Sequence, residues 1–76
     1  GEHLYVTERL VVSPCAGIFV PKPDLGDKHL VNVGDVVGWV AEEEVRSPFA
    51  GILMEFMALE SERVTARQPI AWLRTR

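Results

Sequence analysis

Apolar residues along this chain come in short runs, and the runs are bounded by turn-forming residues. LVVS at 10–13 is β-branched and ends at Pro14, which has no amide donor to continue a ladder. GIFV at 17–20 resumes as a strand. PKPDLGDKH at 21–29 carries two prolines, a glycine and charges of both signs, and reads as a loop. LVNVGDVVGWV at 30–40 alternates apolar and polar positions around a Gly-Asp turn. AEEE at 41–44 is the charge run, and VRS at 45–47 leads into SPFAGIL. MEFMALESERV at 54–64 has loose helical spacing through Met54, Met57 and Leu59, but an internal repeat in the chain favours strand followed by turn. ARQPIAWL at 66–73 ends as a strand, and RTR at 74–76 is a polar tail. Residues 1–8 are weakly patterned: Tyr5 and Val6 either pair as an edge strand or belong to a loosely held end. Short strands with turn signals every eight to twelve residues predict an all-β sandwich or barrel.

SPCAGIF at 13–19 returns as SPFAGIL at 47–53. Ser13, Pro14, Ala16, Gly17 and Ile18 match Ser47, Pro48, Ala50, Gly51 and Ile52, and Val11 matches Val45. With a slip of one residue, placed in the 21–29 loop, Val31 meets Val64 and VVGWV at 36–40 meets PIAWL at 69–73. A half of this size cannot bury its own apolar face, but two copies cover each other. The prediction is a pseudo-two-fold sandwich. Gly17 and Gly51 are expected at sharp turns or close approaches. Trp39 and Trp72 are expected at equivalent core or near-core places, each indole N–H seeking a partner.

These phrases resemble the biotinyl/lipoyl attachment domain, and among its members the biotin carboxyl carrier proteins most. SPFAGIL is similar to the strand after the modified hairpin, ESERVTARQPIAWL to the closing EGDxVxxGQPLxxL phrase, and VNVGDVVGWV to the strand leading into the hairpin. SPCAGIFVPKPDLGDKHL is similar to the carrier proteins in which a proline-rich loop follows the first strand pair. The resemblance covers roughly residues 10–73. It implies a flattened β barrel-sandwich hybrid of two similar four-stranded sheets. Ser61 and Arg67 stand where the family pattern has glycines.

The resemblance also implies a lysine at the tip of the hairpin between the halves, the EAMKM position, where biotin or lipoate is joined by an amide. The corresponding segment here, VAEEEVRSP at 40–48, has no lysine and is about four residues shorter. Its tip is expected near Glu42 and Glu43. Neither glutamate offers the amine, and the Arg46 guanidinium stays protonated. The chain's lysines are Lys22 and Lys28, both in the 21–29 loop. No cofactor is therefore expected, unless Lys22 or Lys28 takes biotin or lipoate.

Composition narrows the function further. The chain has 76 residues, a net charge of -3 and 47% hydrophobic residues. Only about 60% of the surface of an unfolded chain this short can be buried, enough for one modest core. The acidic balance argues against nucleic acid, which needs a concentrated basic surface. No apolar run approaches a membrane span, and no signal peptide is visible. The lone Cys15 forms no internal disulfide and fits a reducing compartment, so a cytoplasmic location is expected. His3 and His29 lack metal-ligand spacing, so no metal site is expected. Gly1 in place of Met leaves a processed form, a fragment and a tag remnant open.

No catalytic residue is expected, because the acids sit on turns and Cys15 has no base beside it. The expected organisation is an N-terminal segment 1–9, a domain 10–73 with halves 10–40 and 44–73, and a tail 74–76. The expected role is that of a non-catalytic carrier-family domain binding a protein partner, such as subunits of an acyl-CoA carboxylase-like system. Its contact surfaces would be Lys22, Pro23 and Asp24 in the loop and Glu42, Glu43 and Glu44 at the turn. Three alternatives stand beside it. One is a genuine carrier with an atypical lysine. Another is an excised module of a larger assembly, such as a membrane-fusion adaptor. The third is a homodimer that exchanges halves.

Overall fold

The computed structural model describes residues 8–26 and 28–75; Tyr5 and Val6, considered above as an edge strand, lie outside them. The described residues form eight strands and no helix. They are β1 (Glu8–Val12), β2 (Gly17–Pro21), β3 (His29–Val31), β4 (Val36–Val40), β5 (Glu43–Arg46), β6 (Gly51–Phe56), β7 (Arg63–Val64) and β8 (Pro69–Arg74). They make two four-stranded sheets, β1-β8-β6-β3 and β5-β4-β2-β7, with every pair antiparallel. Exchanging β1–β4 for β5–β8 turns one sheet order into the other. This is the all-β barrel-sandwich with pseudo-two-fold symmetry. Residues 54–56, ambiguous by periodicity, are strand. Glu8, Arg9 and Arg74, placed outside the domain by sequence, belong to it because Glu8 pairs with Arg74 and Arg9 with Leu73.

Most of the core falls into mated pairs, Ala58 and Ala71 aside. Val11 and Val45, Phe19 and Leu53, Val31 and Val64, Val37 and Ile70, and Val40 and Leu73 are all buried. The corners repeat as well. The buried Ser13 hydroxyl donates to the Cys15 carbonyl (2.6 Å), and the buried Ser47 hydroxyl donates to that of Phe49 (2.6 Å). The Ser13 amide donates to Gln68 O and its carbonyl accepts from Arg67 N–H. Ser47 does the same with Asp35 and Gly34. Each half's corner is thus tied to the other half's turn.

The one-residue slip has two sources. Met54 is an extra residue in β6, where the register against β8 shifts between Leu53 and Glu55. The connection after β2 is then longer than the one after β6. Lys22 N–H donates to Val37 O as Met57 N–H does to Ile70 O, and Lys28 N–H donates to Leu53 O as Ser61 N–H does to Phe19 O.

The tryptophans are equivalent but do not lie in the core. Register shifts at Val37 and Ile70 put two consecutive residues inward, Val37 with Gly38 and Ile70 with Ala71. Such a bulge reverses the alternation that follows. Trp39 and Trp72 therefore lie half-buried on the outer faces, Trp39 opposite Val20 and Glu44, and Trp72 opposite Leu10 and Glu55. Trp72 Nε1–H donates to Glu55 Oε1 at 3.4 Å.

Candidate functional site

The segment between the halves closes in two residues. Val40 pairs with Glu43, so Ala41 and Glu42 form the whole turn, with φ of 51° and 68°. The tip is Ala41–Glu42 rather than Glu42–Glu43, because Glu43 already belongs to the ladder of β5. The turn sits against the first half: a Cβ built on Gly17 would lie 2.8 Å from Ala41 Cβ and 3.0 Å from Ala41 N. Gly17 is therefore required as glycine by close approach. Gly51 is its mate, and a Cβ there would lie 2.7 Å from Arg74 O.

The three glutamates do not form one knob. Glu42 is at the tip, and Glu43 and Glu44 are consecutive residues of a strand whose side chains point to opposite faces. Glu44 shares its face with Arg46, which bonds the Glu44 carboxylate and also donates to Gly34 O at 2.7 Å. β5 is an edge strand, and its charges discourage pairing with other chains.

Lys22, Pro23 and Asp24 do come together. With Leu25 and His29 they line a small cleft of about 140 Å³. Lys22 leaves β2 level with Val37, at the end of β4 away from the turn. A strand rise of 3.3 Å per residue then places it about 15 Å from Glu42 along the strand. The two expected contact surfaces are thus separate. Lys28 is exposed and holds φ of 62°, matching Ser61 at 69°.

Cys15 is half-buried, and its Sγ–H donates to Val40 O at 3.5 Å. Among the described residues no group of three or more His, Cys, Asp or Glu side chains is arranged to hold a metal. The buried polar side chains, Ser13 and Ser47, are both engaged in their own corners. Among the described residues no helix is long and apolar enough to cross a membrane.

One feature escaped the sequence. Leu30, Ala50, Gly51, Ile52, Arg74 and Thr75 line an open groove of about 480 Å³. Leu30 pairs with Ile52 across β3 and β6, and they are 65% and 40% exposed. The mate of this pair is Arg63 opposite Ile18. An apolar Leu30 aligned with Arg63 in the repeat was the available signal.

No family model matches the chain. The uncharacterized protein YqeB of Escherichia coli (strain K12) is 39% identical over 49 residues, which are 64% of this chain and 9% of YqeB. Among solved structures, a single-chain, multi-domain long-chain acyl-CoA carboxylase superposes with a TM-score of 0.78 at 15% identity, over 100% of this chain and 8% of that one. The chain thus spans less than a tenth of the length of either protein. At that identity the superposition shows a shared fold.

A prosthetic group held by an amide needs a primary amine at an exposed turn. The turn between the halves offers Ala41 and Glu42, and no lysine follows Lys28. These residues do not fit biotin or lipoate.

Proposed function

We propose that this chain is a carrier-type barrel-sandwich module that bears no prosthetic group and acts as a protein-interaction or structural unit, in an acyl-CoA carboxylase-like or related system. The observation that carries the reading is the amine-free turn Ala41–Glu42, closed in two residues and seated on Gly17. A carrier's attachment point must project so that a ligase can reach it and the arm can swing. This turn instead ends flush with the sheet. The superposition on part of a carboxylase chain supports the system named, and YqeB, an uncharacterized protein, adds no activity.

The reading includes no catalysis. Acid–base chemistry needs titratable groups held together in a pocket. The described acids are exposed, on turns, on the edge strands β1 and β5 and, as Glu55, on the outer face of β6; Glu62, in the turn before β7, is half-buried. The test is co-elution with the subunits of an acyl-CoA carboxylase on a sizing column, with the chain prepared free of biotin and lipoate ligases. Co-elution of the unmodified chain is expected. Co-elution that depends on a biotin adduct would overturn the proposal.

A further inference from the structure

We infer that this chain exchanges halves with a second copy of itself, opening at Ala41–Glu42 so that residues 8–40 of each chain close over residues 43–75 of the other.

Turn chemistry is the first observation. A two-residue hairpin turn with φ above zero at both positions favours Asn-Gly, Asp-Gly or Gly-Gly. Here the pair is Ala-Glu, at 51° and 68°, and both side chains disfavour the left-handed region. Opening the turn returns both residues to extended backbone and runs β4 directly into β5. Short hinges under strain invite such exchange.

The second observation is where the contacts lie. Of the six strand pairs, β1 with β8, β3 with β6, β4 with β5 and β2 with β7 join the halves. The corner bonds of Ser13 and Ser47 and most of the core are also shared between halves. All of these re-form between two chains without a new surface. What is given up is the turn itself.

The third observation is the other end of the molecule. By the pseudo-symmetry, Arg74 and Glu8 are the mates of Ala41 and Glu42, and they pair in the same register with no turn between them. The fold already holds one such strand pair without a covalent closure, so the second closure is dispensable to pairing.

The experiment refolds the 76-residue chain from denaturant at micromolar and at millimolar concentration, then measures mass by light scattering on a sizing column. The wild type is expected to give a dimer whose share rises with refolding concentration and which separates slowly on dilution. The double variant Ala41→Asn/Glu42→Gly is expected to lower the dimerisation constant at least about tenfold, which is about 1.4 kcal/mol. Deletion of Glu42 is expected to raise the dimer share, since one residue cannot reverse the strand. A wild type that stays monomeric after millimolar refolding would overturn the inference. An Asn-Gly variant that dimerises as strongly as the wild type would do so too, because a surface dimer does not sense the turn. These outcomes do not depend on whether the module carries a prosthetic group.

Discussion

Arg67 and Ser61 hold φ of 71° and 69°, at the two positions where the resembled phrase has glycine. A side chain in the left-handed region costs about 1–2 kcal/mol. Glycine returns part of that gain through the extra freedom of the unfolded chain, roughly 0.5–1 kcal/mol. Arg67→Gly and Ser61→Gly should therefore each stabilise the fold by about 0.5–1 kcal/mol, read as a higher urea midpoint at unchanged slope. A lower midpoint for either would contradict the turn geometry. Gly34 holds φ of 90° in the turn that mates with Arg67, so the first half places glycine where the second places arginine.

At the scale of elements, the corners do the linking. Ser13 and Ser47 are buried, and each hydroxyl bridges the amide and carbonyl of the residue two positions on. Removing the hydroxyl strands buried polar groups, at about 1–3 kcal/mol. Ser13→Ala and Ser47→Ala should each destabilise by about 1–2 kcal/mol, and by similar amounts, in chemical denaturation. A large loss at one and none at the other would break the equivalence of the halves. The elements themselves were legible, because β-branched runs between proline and glycine punctuation mark strands, and the repeat decided between helix and strand at 54–56. Two things were not legible. Consecutive glutamates read as a charged turn, yet Glu43 and Glu44 are strand, since the edge of a sheet takes charge as readily as a loop does. A repeated tryptophan reads as core or near-core, yet the bulges at Val37 and Ile70 turn Trp39 and Trp72 outward, where they are half-buried. A bulge leaves no mark in hydrophobicity beyond one extra inward residue.

At the scale of the whole molecule, the two sheets each draw two strands from each half, so neither half has a sheet of its own. The repeat therefore predicted the architecture, whereas the groove at Leu30 and Ile52 depends on which exposed residues meet across β3 and β6 and became visible only with the register. The same symmetry bears on function. It makes Ala41 and Glu42 the mates of the paired residues Arg74 and Glu8, and Ala41 and Arg74 each lie against a glycine, Gly17 or Gly51. On the proposed reading, such a module would meet a partner through its faces. The most direct test is the intact mass of the chain after co-expression with a biotin ligase and a lipoate ligase, with a biotinyl domain in the same cells as comparator. The unmodified mass is expected beside a fully modified comparator. A biotin or lipoate adduct located on Lys22 or Lys28 would contradict it.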